Sequence, residues 1–336
     1  MKPIAIATVL AALAAVTSAS AQTLKAVKER GMLACGVSQG LYGFSIADDK
    51  GNWTGFDVDL CRAIAAAIFN DADKVKYVPL STNDRFGALT SGAVDVLSRN
   101  TTWTMSREMT LGLSFAGVTY YDGQGFLIPS TLNAESALEL GGKSVCVQTA
   151  TTTELNLADF FAANRMTYQK VALATADEVL QAYRSGKCNV LTSDISQLYA
   201  ERLKLGKPGD HTILPDIISK EPLGPAVRQG DIQWFNIVKW THFAMVNAEE
   251  LGVSSATIDA ALKSEKPDVR RLVGTEGDYG EQLGLTKDWA ARVIRLVGNY
   301  EEVFERNVGT ASRLGIPRSI NNLWNNGGIQ YAPPIR

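Results

Sequence analysis

Apolar positions along the chain alternate between two rhythms, short runs and three-to-four-residue spacings, and each switch marks a change of element. The run Met32 to Val37 predicts a strand, and Phe56, Leu60, Ile64 and Ile68 fall on one face of a helix from Phe56 to Phe69. An alternating strand at Val75, Tyr77 and Pro79, a helix over Asp84 to Ser91, the turn Ser91-Gly92 and a strand Val94 to Leu97 complete a βαβαβ unit. Asp48 to Asn52 reads as a hairpin tip between Ile46 and Trp53.

The same order returns once. Strand Val145 to Val147, helix Thr153 to Asn164, strand Tyr168 to Val171, helix Ala176 to Ser185, strand Asn189 to Thr192 and helix Ile195 to Leu205 form a second unit. Two such units predict two α/β lobes, and ligands of such sheets sit beyond the carboxyl ends of the strands, near helix N-termini. The loops Ser38 to Ser45, Ser98 to Arg107, Gln148 to Thr153 and Thr192 to Asp194 are therefore the places to look for chemistry. After Gly224 the pattern becomes helical, with a long amphipathic helix Ile232 to Leu251 and helices near Asp288 to Asn299 and Glu301 to Asn307. Trp324, Gly327, Gly328 and Pro333-Pro334 predict an ordered but irregular tail over Asn321 to Arg336.

The N-terminus reads as a signal peptide, residues 1 to 21: Lys2, an apolar stretch Ile4 to Val16, then the cleavage site Ala19-Ser20-Ala21. That stretch is about 13 residues, short of the roughly 20 that a bilayer span needs, and Gln22 rather than Cys follows it, so an unlipidated, freely diffusing periplasmic protein is expected. Removing Lys2 changes 33 basic against 35 acidic residues to 32 against 35, a net charge of −3 with no dense basic run, which argues against nucleic acid as a partner. His211 and His242 stand in no spacing typical of zinc or of nucleophile activation, so neither a metal nor a cofactor is expected. Four cysteines in an exported chain read as two disulfides with three possible pairings, four buried thiols being the alternative. Cys35 with Cys61 and Cys146 with Cys188 is the preferred set, because each bridge then staples a strand to a nearby element of its own half.

The segment GFDVDLCRAIA at Gly55 to Ala65 resembles the signature helix of the polar amino-acid family of bacterial extracellular solute-binding proteins, family 3. GNYEEVFERNVG at Gly298 to Gly309 and NNLWNNGGIQYAPP at Asn321 to Pro334 resemble its general L-amino-acid-binding subgroup, in which four cysteines at similar places are usual. The resemblance implies a two-lobed type II periplasmic-binding fold with a hinge. Its parts would be a first lobe over 22–123, a second over 124–225, and a return to the first with a helical C-terminal extension over 226–336. It also implies a monomer that captures free L-amino acids with broad specificity and delivers them to an inner-membrane ABC permease.

Site residues carry over motif by motif. In Asn100-Thr101-Thr102-Trp103-Thr104-Met105-Ser106-Arg107, Arg107 takes the place of the arginine that grips the α-carboxylate, with Asn100 and Thr102 beside it; Met105 stands where the family often has an acid. Gln148, Thr151 and Thr152 fall in the second-lobe loop VQTATTTE, with Ala150 in the usual glycine place, and Asp194 matches the aspartate that receives the α-amino group. Tyr42 and Phe44 lie in the loop where the family packs an aromatic on the substrate, core packing being the alternative, while Trp103, Trp234 and Trp240 read as structural.

The chemistry has a basis of its own. A planar guanidinium matches a carboxylate bidentately and a carboxylate balances an ammonium, so Arg107 and Asp194 in different halves suit a free amino acid that ties the lobes together. Alone, such an arginine is ordinarily a solvated residue and such an aspartate an N-cap. The rival reading is a periplasmic dehydratase of the same fold acting on a cyclic amino-acid precursor, for which Glu154 is the one other acid in the motif loops.

Overall fold

The computed structural model describes residues 22–336; the expected signal peptide lies outside the described residues. Helix α1 (Thr23–Arg30) leads into β1 (Leu33–Val37), the small hairpin β2 (Ile46–Ala47) and β3 (Trp53–Thr54), α2 (Phe56–Phe69), β4 (Val75–Pro79), α3 (Arg85–Thr90), β5 (Val96–Leu97), α4 (Met105–Thr110) and β6 (Leu113–Phe115). The chain then crosses through β7 (Tyr120–Asp122) into β8 (Gln124–Pro129), β9 (Ser144–Gln148), α5 (Thr152–Ala163), β10 (Gln169–Leu173), α6 (Ala176–Arg184), β11 (Val190–Asp194), α7 (Ile195–Leu203) and β12 (His211–Ile213). It returns through β13 (Glu221–Leu223) to β14 (Ala226–Arg228) and continues as α8 (Ile232–Glu250), the short α9 (Ile258–Ala261), α10 (Pro267–Val273) and α11 (Tyr279–Gln282), then α12 (Trp289–Leu296) and α13 (Tyr300–Asn307).

Each lobe is built on a five-stranded sheet, ordered β4-β1-β5-β14-β6 in the first and β10-β9-β11-β8-β12 in the second. In both, the leading three strands are mutually parallel, the fourth runs antiparallel to them and the fifth antiparallel to the fourth, so the loops after β1, β5, β9 and β11 leave from carboxyl ends on one side. The two lobes are joined by β7 and β13, paired antiparallel with Glu221 opposite Asp122 and Leu223 opposite Tyr120.

The second lobe shows why its strands read as continuous apolar runs. Phe126, Val145, Val147 and Val190 bury one face of the sheet against Leu157 and Phe161, while Leu127, Cys146 and Leu191 bury the other against Val179, Leu180 and Leu198. In the first lobe, α2 is buried on nearly every side. Phe56 at its start meets Phe44, Tyr120, Tyr300 and Phe304 edge-on, which places Phe44 in the core rather than at a ligand. The N-terminus of α2 has no side-chain cap. Gly43 and Phe44 carbonyls accept from the Phe56 and Asp57 N–H groups instead, an approach open only because Gly55 (φ 134°) lacks a Cβ that would lie 2.1 Å from the Phe44 oxygen. The disulfides Cys35–Cys61, joining β1 to α2, and Cys146–Cys188, joining β9 to the segment just before β11, each staple one lobe.

Most elements fall where the hydrophobic rhythm puts them. The helix expected to run to Asn299 stops at Leu296, because Gly298 takes φ 105° and Asn299 opens α13 with a capping box, its side chain accepting from Glu302 N–H. Trp234 is buried with its indole N–H on the Asp95 carbonyl, Trp103 stacks on Phe115 at 5.7 Å, and Trp240 meets Phe243 edge-on. Among the described residues no helix is long and apolar enough to cross a membrane, and no group of three or more His, Cys, Asp or Glu could hold a metal ion.

The C-terminal extension grips the connecting strand on its free edge. Asn321 accepts from Tyr121 N–H at 2.7 Å and donates to the Tyr121 carbonyl at 2.9 Å, so its amide stands in for a neighbouring strand. Tyr300 Oη and Gln330 Nε2 both donate to the Thr119 carbonyl, and all three side chains are buried. Asn321→Leu leaves two part-buried backbone groups of Tyr121 unpaired and is expected to cost about 1–3 kcal/mol, read as a lowered urea midpoint, whereas an unchanged midpoint would show the contact to be dispensable.

Candidate functional site

Between the carboxyl ends of the two sheets lies a cavity of about 350 Å³, lined from the first lobe by residues that include Tyr42, Thr82, Arg85, Arg99, Asn100, Thr102 and Arg107. The second lobe contributes Gln148, Thr151, Thr152, Asp194 and one face of α7. All eight residues selected from the sequence thus meet around one space. They do not all have free side chains.

Arg107 is held on the short helix α4, whose N-cap Thr104 accepts from the Arg107 N–H. Its Nη1 donates to the Thr102 carbonyl at 2.8 Å, its guanidinium lies 5.3 Å from the Phe86 ring, and Met105, in the place of a common acid, is exposed and gives it no support. Burial lowers its pKa, with Glu221 and Asp194 opposing. Asn100 adopts φ 27°, its N–H donating to Asp57 at 2.8 Å and its buried Oδ1 unpartnered. Burial raises the Asp57 carboxyl to about 7 against the pull of that N–H and of Arg99.

Asp194 ends β11 and opens α7, the position of an N-cap, yet its side chain caps nothing. Asp122, on the connecting strand, accepts from the Ser196 N–H at 3.3 Å in its stead. The Asp194 carboxylate is consequently buried, with Oδ1 unpartnered. Its burial and the charges of Asp122 and Glu221 push its pKa well above the usual range, Arg107 and Arg85 pulling the other way.

The threonines divide the labour. Thr151 is a structural N-cap of α5: its hydroxyl accepts from Glu154 N–H at 3.2 Å and donates to the Gln148 carbonyl at 2.7 Å. Thr152 and Thr102, from opposite lobes, lie 3.3 Å apart and both donate to Glu221 Oε2, at 2.9 and 2.6 Å. Glu221 Oε1 accepts from Asn156 and Ser219 as well, so four donors meet on one buried carboxylate in the connecting strand β13. Gln148 makes a second bridge between lobes, reaching Thr82 Oγ1 at 3.4 Å. Tyr42 reaches the cavity from the first loop with Arg313 of the C-terminal extension 5.3 Å over its ring.

Arg85, Asp122 and Glu221 were not among the residues read from the sequence. Arg85 is 3 % exposed, packs over Phe86 and leaves Nε without a partner; burial and the neighbouring Arg99 and Arg107 hold its pKa well below the usual value. Its one local signal is a cation in the first turn of a helix, where the dipole disfavours it. Glu154, considered for catalysis, is not among the cavity's lining residues and pairs with Lys170 at 3.0 Å.

The family model for bacterial extracellular solute-binding proteins, family 3, matches residues 33–256. The chain is 57 % identical over 322 residues (95 % of this chain, 94 % of the relative) to the general L-amino acid-binding periplasmic protein AapJ of Rhizobium johnstonii. It is 55 % identical over 341 residues (100 % of both) to the putative amino-acid ABC transporter-binding protein YhdW of Escherichia coli K12. A solved structure of an ABC transporter/periplasmic binding protein from Brucella ovis with glutathione bound superposes with a TM-score of 0.92 at 55 % identity, covering 94 % of this chain and 99 % of that one.

Ala150, in the usual glycine position, sits at φ 59° in the loop that starts α5. A left-handed alanine is strained, so Ala150→Gly is expected to stabilise the protein by about 0.5–1 kcal/mol in urea unfolding, and destabilisation would contradict the strain.

Proposed function

The chain belongs to the bacterial extracellular solute-binding proteins of family 3, and from that premise we propose that it captures free L-amino acids by their backbone groups and delivers them to an ABC importer. The observation that carries the reading is the pair of buried, incompletely partnered charges in one cavity: the Arg107 guanidinium from the first lobe and the Asp194 carboxylate from the second. A zwitterion supplies both complements. Its α-carboxylate matches Arg107, with Arg85 and the first-turn N–H groups of α5 near at hand, and its α-ammonium takes the open acceptor of Asp194. At about 1.5–3 kcal/mol for each charged hydrogen bond, three would suffice for the roughly 8 kcal/mol of micromolar binding before ordering costs.

The role is transport, and a dehydratase has no support at Glu154, which faces Lys170. Relatives named for amino-acid binding and an ABC transporter favour a permease partner and a periplasmic location, reached through the signal peptide at residues 1 to 21 without lipidation. In this reading the protein acts as a monomer, its lobes divide at 123/124 and 225/226, and closure turns on β7 and β13. Breadth of specificity fits a site that reads groups common to all amino acids. The glutathione of the Brucella ovis relative fits as well, since its glutamyl end keeps an α-carboxylate and an α-ammonium on one carbon.

Titration calorimetry of ligand-stripped protein with a panel of L-amino acids tests the reading. Asp194→Asn and Arg107→Ala should each weaken every ligand alike by about 2–5 kcal/mol; loss confined to one side-chain class would contradict the assignment. An ammonium beside Asp194 favours its ionised form, so binding should release a proton as the raised pKa falls, and affinity should drop as the solution is acidified. Buffers of different ionisation enthalpy will show that release in the native protein and its absence in Asp194→Asn.

A further inference from the structure

The cavity continues past the two charges that read an amino acid's backbone. Helix α7 begins directly after Asp194, and Gln197, Glu201 and Lys204 follow at intervals of three, four and three residues, a spacing that places them on one helical face. All three line the same cavity as Asp194. At 1.5 Å per residue, Glu201 stands about 10 Å and Lys204 about 15 Å along the axis from Asp194. Ten ångströms is roughly the span of three extended residues, so this face lies beyond the reach of most free amino acids.

The far end is chemically open. Glu201 is 2 % exposed, and its buried Oε2 has no hydrogen-bond partner. Lys204 stands 3.4 Å from Oε1 and 3.2 Å from Oε2, the latter off hydrogen-bond geometry, and 3.5 Å from the exposed Asp177. An i,i+3 ion pair at a helix end is ordinarily solvated, and it leaves no buried oxygen wanting a donor. Here the oxygen wants an N–H, and the ammonium next to it can exchange its exposed partner Asp177 for a ligand carboxylate.

We propose that the α7 face bearing Gln197, Glu201 and Lys204 is a second subsite, which extends the ligands of this cleft from free amino acids to side-chain-linked peptides such as γ-glutamyl peptides. The inference rests on the amino-acid reading of Arg107 and Asp194. An ordinary α-linked peptide spends its first α-carboxylate in an amide bond and cannot satisfy both of those residues. A γ-linked peptide keeps both groups on one carbon and sends its amide N–H and terminal carboxylate down the cavity, toward Glu201 and Lys204.

Calorimetry on the ligand-stripped full chain with L-glutamine, γ-L-glutamylglycine and α-L-glutamylglycine separates the two claims. The first two should bind and the third should not. Lys204→Met and Glu201→Gln, each checked by thermal melting for a native fold, should lower affinity for γ-glutamylglycine about tenfold more than affinity for glutamine. Glutamine binding without γ-glutamylglycine binding, equal binding of the α and γ isomers, or equal effects of both variants on both ligands would each overturn the subsite and leave the amino-acid reading intact. Failure of glutamine and every other L-amino acid would overturn that reading itself.

Discussion

A carboxylate that is buried and left without a donor costs free energy, and Asp194 is kept in that condition by the fold around it. The position invites an N-cap, which would satisfy it at once. Asp122 accepts from the α7 N-terminus instead, and does so from the connecting strand, so the release of Asp194 is tied to the segment that joins the lobes. Arg107 and Arg85 offset part of the cost without contacting it by a hydrogen bond. A cationic ligand completes the arrangement. The cavity is therefore a place where solvation has been withdrawn from a cation and from an acid before their partner arrives, which is what preorganised binding of a zwitterion requires.

Glu221 provides the mechanical counterpart. One oxygen accepts from Thr102 of the first lobe and Thr152 of the second, the other from Asn156 and Ser219, and the residue sits on a strand that crosses between lobes. Hydroxyls that appear in the sequence as ligand donors thus belong in part to the contact between lobes. Behind the connection, Asn321, Tyr300 and Gln330 bind Thr119 and Tyr121 to the helical extension, so β7 travels with the first lobe up to Tyr121. In the proposed closure, bending is therefore expected near Asp122 and Gly123, beyond the last of these contacts.

What could be read from the sequence depended on how local its cause was. Helix α2, the parallel strands and the paired cysteines follow from periodicity and proximity, and Arg107 and Asp194 stand in contiguous motifs. Glu221 and Asp122 carry no local sign, since their roles come from partners 119 and 74 residues away. Thr151 stands in the sequence as a ligand residue, and its hydroxyl is instead occupied as the cap of α5. The tail resembles a subgroup in its letters, but its grip on the connecting strand exists only in three dimensions.

The most direct test is a crystal structure of the stripped protein soaked or grown with L-glutamine. The account predicts the α-ammonium within hydrogen-bond distance of Asp194 Oδ1 and the α-carboxylate on the Arg107 guanidinium. An amino acid bound with its ammonium elsewhere, or with Asp194 still unpartnered, would contradict it.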